Sequence, residues 1–271
     1  AMGDRALWMT RTKPFGGYNI AYVVINYGTG IKHAVGLQAS KRELPDLLGK
    51  AQEHAPLIEL DPLYCQFQLA QAHQMNLATG TPVPEAYFAL RDTIGECHTT
   101  FEQAIIYSAL PAADLQEAQT STDYAKHLLQ IAEFAGWRLP ETIVQKYGDQ
   151  LRDVEQSQIV VSPTIQRERI NAIHAQAAEE VLRETSRRIM RLRLEEMAYY
   201  LLQTDRHRAA LWAVAAAQSL ATDRPDRLRT NPFISALLER SLEYAKRRPS
   251  SNIILPFAPS SGTEGGRRII L

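Results

Sequence analysis

Residues 18–37 read YNIAYVVINYGTGIKHAVGL. Tyr18 to Tyr27 is rich in β-branched and aromatic side chains, Gly28-Thr29-Gly30 supplies turn chemistry, and Ile31 to Leu37 resumes with Ile31, His33, Val35 and Leu37 alternating on one face. Two such runs around a short Gly-containing loop predict a β-hairpin over 18–38. The first run is apolar on both faces between Ile20 and Ile25, which predicts a strand covered on both sides. A lone hairpin is marginal in water and needs further strands or a packed helix. The candidates for extra strands are 6–10, 159–161 and two apolar runs, NIILPF (252–257) and RRIIL (267–271).

From about residue 40 the punctuation is helical. Ser40 and Glu43 have the spacing of a capping box, with Pro45 close behind. Asp61-Pro62, with Asp as N-cap and Pro at the first helical position, opens a helix that Gly80 closes. Pro82 and Pro84 introduce a shorter helix through Leu90; others are expected from Ser121 to Gly136 and from Pro140 to about Gln156. Ser162-Pro163 and Asn231-Pro232 repeat the cap-then-proline signature. Between them, Ile170, Ile173, Ala177, Val181 and Leu182 form one apolar stripe, and Ile189, Leu192, Leu194, Met197, Ala198 and Leu201 form the next. These predict a helix ending near 182–185, a second reaching about Gln203, a turn at Thr204-Asp205-Arg206, and an antiparallel partner from Ala209 to Leu220.

The fold class expected is therefore α+β and predominantly helical, with a small N-terminal antiparallel β-sheet packed with helices and a C-terminal helical bundle. The run of elements divides the chain into an α+β region, 1–120, a helical bundle, 121–248, and a tail with two β-prone segments, 249–271. Exposed Ile-Ile-Leu segments invite β aggregation, so at least one tail segment is expected to dock on the sheet or to add as a strand to another protein.

One helix pair carries a resemblance. Leu194, Met197-Ala198, Leu201, Ala210, Val214 and Ala217 follow in order the large and small offsets of a tetratricopeptide-type hairpin over about 191–222. In that family the small residues let two helix backbones approach while the large ones fill the groove. The family's closing proline would fall at Thr222, whereas the nearest proline is Pro225. The chain has no second copy, and solenoids usually stack about three, so the resemblance implies one hairpin inside a bundle. The overall order of elements is also loosely similar to uncharacterised bacterial proteins, a likeness that implies no activity.

The 271 residues are long enough for a substantial core, and 45% hydrophobic against 22% charged residues is ordinary for a folded protein. No apolar run approaches the roughly 18–20 residues of a membrane span, and residues 1–4 lack a basic-then-apolar signal pattern. Two cysteines, Cys65 and Cys97, are too few for a disulfide framework, so a reducing cytoplasm is expected. Net charge is zero but uneven: residues 1–161 hold 12 Lys+Arg against 18 Asp+Glu, and 162–248 hold 16 against 11. That asymmetry fits either a nucleic-acid-facing half or two halves that attract each other.

The strongest basic stretch is Arg183, Arg187, Arg188, Arg191 and Arg193, of which Arg183, Arg187 and Arg191 share a helical face and could track phosphates. Arg191 also lies four residues before Glu195, and Glu184 four before Arg188, the spacing of a salt-bridged, solvated helix face. The seven histidines include no pair at i, i+4, and Cys97-His98 with Cys65 falls short of a zinc set, so neither a metal nor a cofactor is expected. Lys32, His33 and Asp61 are the residues that an N-terminal site could use. Lys32 also reads as edge protection, His33 as a core or rim residue, and Asp61 as a cap. No Gly-x-Ser-x-Gly elbow or Walker phosphate loop occurs. The leading expectation is a non-enzymatic protein-interaction or assembly module with another protein as partner, a homo-oligomer being compatible. Nucleic-acid binding through the basic half and an enzyme site near the hairpin are the alternatives.

Overall fold

The computed structural model describes residues 4–53, 56–120, 123–156, 162–222 and 224–247. The strand expected at 159–161 and both tail segments lie outside the described residues. Strands β1 (Asp4–Thr12), β2 (Tyr18–Asn26) and β3 (Gly30–Ala39) come first. Helices α1 (Glu43–Gln52) and α2 (Pro62–Thr79) follow, then the short α3 (Glu85–Ala89), α4 (Arg91–Ile94) and α5 (Ile106–Ala109). The C-terminal helices are α6 (Ala112–Thr120), α7 (Tyr124–Gln130), α8 (Glu141–Gln156), α9 (Pro163–Val181), α10 (Glu184–Gln203), α11 (His207–Ser219), α12 (Pro225–Arg229) and α13 (Pro232–Arg247). The protein is thus α+β and predominantly helical, and among the described residues no helix is long and apolar enough to cross a membrane.

The three strands form one antiparallel sheet with β2 in the centre and β1 at an edge. The hairpin forms where the sequence predicts it, and the strand candidate at 6–10 becomes part of β1. The expected single alternating face of β3 does not survive. Pairing passes from Val24 opposite His33 to Ile25 opposite Ile31, so Lys32 is an extra residue in β3. This bulge puts Ile31 on the opposite face from His33 and Val35, and it is Ala34 that joins Ile31 in the core while His33 is exposed. The expectation that β2 is covered on both faces also needs correction. Ala21, Val23 and Ile25 are buried against Leu69 and Ala72 of α2, but on the other face only Ile20 is buried, with Tyr22 and Val24 half-buried.

The caps are local, and they form as read. Asp61 accepts hydrogen bonds from the amides of Leu63 (2.7 Å) and Tyr64 (3.2 Å), and Gly80 closes α2 in the left-handed conformation at φ 68°. Ser40 and Glu43 exchange the reciprocal bonds of a capping box, 3.2 and 2.8 Å. The helix expected over 121–136 is interrupted instead: α7 ends at Gln130, Ile131 is extended, and a 3-10 turn spans Ala132–Phe134. The break carries Phe134 and Trp137 into the core, stacked at 4.6 Å. Their burial outweighs the few helical hydrogen bonds given up.

Two hydrophobic cores result. The smaller holds the inner face of the sheet, α2, Leu90 and Ile94; the larger holds the helices from Ile106 onward, and Leu60 packs against both. Along the chain the buried residues pass from the smaller core to the larger between Ile94 and Ile106. At the centre of the larger core, α10 and α11 are joined by a turn at Thr204–Arg206, with Asp205 at φ 58°. Leu194, Ala198, Leu201, Ala210, Val214 and Ala217 are wholly buried, as any tightly packed helix pair requires.

Asn231 ties α13 into this core. Its side-chain oxygen accepts from the amides of Phe233 and Ile234, both at 3.1 Å, and its nitrogen donates to Ser219 Oγ at 3.0 Å. Because Asn231 is buried, Asn231→Ala is expected to cost about 2 kcal/mol in urea unfolding, the upper part of the range for a lost cap. Asp61→Ala, at an exposed cap, is expected to cost about half as much.

Candidate functional site

A cavity of about 900 Å³ lies where the sheet meets the helical bundle. Its walls come from β1, the end of α1, the segment 56–60, the start of α2, Gly136-Trp137 and α10. The contribution of β1 is unusual: all seven residues from Asp4 to Thr10 border it without a gap. Side chains of a strand alternate between faces, so one face alone would contribute every second residue. An unbroken run means that the strand's open edge borders the space. β1 pairs only with β2, and among the described residues its outer backbone groups have no partner.

The floor of the junction is a buried polar cluster drawn from three elements. The Arg5 guanidinium of β1 donates to Glu196 of α10 and to the side-chain oxygen of Gln68 of α2. Tyr64 and Gln68, one turn apart on α2, both donate to Glu196. Tyr27 OH lies 3.5 Å from Arg5. Burial alone would lower the pKa of Arg5, but the Glu196 carboxylate overrides it and holds the guanidinium firmly charged. The Tyr27 and Tyr64 hydroxyls are pushed well above the usual phenol range by burial and the same carboxylate. The charges that join the two halves here reverse the regional excess, since the cation comes from the acidic half and the anion from the basic one. Arg206–Glu133 and His207–Asp114, the latter at 3.0 Å, run the other way.

The other acids on the wall are largely matched. Lys32 is 2.7 Å from Asp4, and Glu133 is bound by Arg206. Glu59 is exposed and bonds to none of the described residues. One cation is left over. The Arg193 guanidinium sits 4.2 Å from the centre of the Trp137 ring and borders the cavity. Among the described residues no carboxylate or carbonyl accepts a hydrogen bond from it. Burial lowers its pKa from the ordinary value, with Tyr27 and Asp4 pulling weakly the other way.

The residues singled out from the sequence lie elsewhere. Lys32 is engaged by Asp4, His33 is exposed with its ring 6.2 Å from Tyr22, and Asp61 caps α2; none of the three borders the cavity. In the basic stretch, Arg191 bonds Glu195 at 2.8 Å, as the i, i+4 spacing predicts, and Tyr107 donates to the same carboxylate at 3.0 Å. But Glu195 is buried and, among the described residues, Glu184 does not pair with Arg188, so the expected solvated, salt-bridged face is not what forms. Arg187 donates to the carbonyl of Thr222 at 2.8 Å, and Arg183 is exposed at the start of α10. Among the described residues no cluster of His, Cys, Asp or Glu could hold a metal. Sequence reading missed Arg5, Trp137 and Glu196, and it named Arg193 only as a member of the basic stretch. The one available signal was that Arg193, unlike Arg191, has no acid four positions later, where Met197 stands.

Cys65, at the start of α2, also borders the cavity, and its buried thiol is pushed up to about 11. At pH 8 only about one thiol in a thousand would be the reactive thiolate. Iodoacetamide at pH 8 is therefore expected to label Cys97 and spare Cys65 until urea is added, as read by peptide mass spectrometry. No family model matches the chain, and neither do any curated protein or solved structure.

Proposed function

We propose that the protein is a non-enzymatic interaction module that captures an extended segment of a partner protein along the open edge of β1. The observation that carries this reading is the continuous lining from Asp4 to Thr10. An open edge is a row of unpaired amides and carbonyls, and proteins commonly guard such rows with lysine, proline or a covering element. Between Arg5 and Arg11 the sequence is Ala-Leu-Trp-Met-Thr, with no guard residue. A segment added there would gain main-chain hydrogen bonds from the strand, and its side chains would lie in a cavity bordered by Trp8 and, from α10, by Arg193, Glu196, Met197 and Tyr200. Six steps of about 3.3 Å give an edge roughly 20 Å long. The cavity is also lined by α10, the first helix of the pair with tetratricopeptide-like spacing.

The test is to pan a random eight-residue peptide library against the full chain and follow amide exchange with the selected peptides. Enrichment of alternating β-branched and aromatic sequences, with exchange slowed across residues 4–10, is the expected result. Binding that leaves β1 exchange unchanged overturns the proposal. So does protection of the same amides without peptide that grows with protein concentration, which would mean a second copy occupies the edge. Binding seen only after residues 250–271 are removed overturns it as well, in favour of the chain's own tail.

A further inference from the structure

We infer that Arg193, held on the face of Trp137, is a carboxylate-reading position in this cleft, and that the captured segment presents an Asp or Glu side chain to it. The source of the carboxylate rests on the strand-addition reading; the anion site itself does not.

Three observations carry it. First, an arginine in a half-buried setting is normally matched, because withdrawing a guanidinium from water is costly unless its donors are satisfied. The neighbouring cations obey this rule: Arg5 has Glu196, Lys32 has Asp4, and Arg206 has Glu133. Arg193 alone among these has an aromatic ring and, among the described residues, no anion bonded to it. Secondly, the Trp137 ring takes no lone-pair hydrogen bond from the guanidinium, and none of the described residues accepts one from it, so its N–H groups keep the fork that fits a carboxylate in two parallel hydrogen bonds. Trp137 can hold it in place because the indole is itself fixed, 5% exposed and stacked on Phe134 at 4.6 Å. Thirdly, Arg193 borders the same cavity as the open edge of β1, so a segment lying along that edge passes the guanidinium. The local acids do not already occupy the role, since three of the four on the wall are bound elsewhere and Glu59 is exposed without contacting it.

The experiment has two arms. In the first, 3-phenylpropionate and its neutral amide are titrated into the full chain and followed by tryptophan fluorescence, since Trp8 and Trp137 both border the cavity. The carboxylate is expected to bind at least tenfold more tightly than the amide, with a preference that weakens as salt is raised. Arg193→Gln should abolish the preference, and Arg193→Lys, which keeps the charge without the fork, should retain only part of it. In the second arm, library peptides carrying Asp or Glu are compared with their Asn or Gln versions. A tenfold loss in the native chain and none in Arg193→Gln is expected. Equal binding of phenylpropionate and its amide to the native chain overturns the inference without depending on how any variant folds. A carboxylate preference combined with no peptide binding leaves the anion site standing and removes the strand-addition reading and the peptide source together.

Discussion

Replacing Glu196 with alanine is expected to destabilise the protein by about 3–5 kcal/mol in urea unfolding, the range for removing one member of a buried ion pair. The Arg5 and Glu196 side chains are only 18% and 12% exposed. Without the carboxylate, Arg5 keeps its bond to Gln68 and the long contact with Tyr27, but no counter-charge. Tyr64 and Gln68 lose a shared acceptor at the same time. The effect should be regional, with amide exchange in β1 and the first turns of α2 accelerating more than in α11, whose packing does not involve the cluster. The double variant Arg5→Leu with Glu196→Leu separates penalty from benefit. Apolar replacement of a whole buried pair is often neutral or stabilising, so it should recover most of the loss. A cost below about 1 kcal/mol for Glu196→Ala would mean that water solvates Arg5 adequately and that the cluster is not what clamps sheet to bundle.

Gly30→Ala should be nearly as damaging. Gly30 begins β3 at φ 88°, and an added Cβ would stand 2.2 Å from the Asn76 side-chain oxygen and 2.4 Å from the Ala72 carbonyl. Those atoms cannot retreat freely. Asn76 is 1% exposed, accepts from the Ile31 amide at 2.6 Å and donates to the Ile31 carbonyl at 3.2 Å, the link that fastens β3 to α2. Backbone strain and overpacking together are expected to cost roughly 3–5 kcal/mol. Gly16 provides the control, since its φ is 91° but nothing lies within 4 Å of its Cβ position. Gly16→Ala therefore carries strain alone, about 1 kcal/mol. Equal losses for the two variants would show that strain, and not the close approach of α2, fixes the glycine. Thermal unfolding of both, read by circular dichroism, decides it.

Both experiments act on contacts that no local pattern announces, whereas other features were open to reading. The caps at Asp61, Ser162 and Asn231 were legible because a cap is settled within three residues of chain, and all three side chains accept from the following amides. The α10–α11 turn was legible because two helical stripes stop on either side of Thr204 to Arg206. The hairpin was legible from its β-branched run and glycines, but its faces were not. The bulge at Lys32 is set by β3 meeting α2, and it exposes His33 against the alternation of its neighbours.

The cleft illustrates the division most directly. The sequence by itself determined an α+β chain, the limits of its longer capped helices and the Arg191–Glu195 pair, because each depends on residues a few positions apart. It could not determine that β1 keeps an open edge, since that follows from which neighbour pairs with it and what packs beside it. Nor could it bring Arg5 to Glu196 across 191 positions. It offered Arg191 and Arg193 as two members of one basic stretch. Two residues turn an α-helix by about 200°, so in the tertiary structure Arg191 meets Glu195 and Tyr107 while Arg193 is carried round to Trp137 and the cavity. Helix phase was in the sequence; what stood opposite each phase was supplied only by packing.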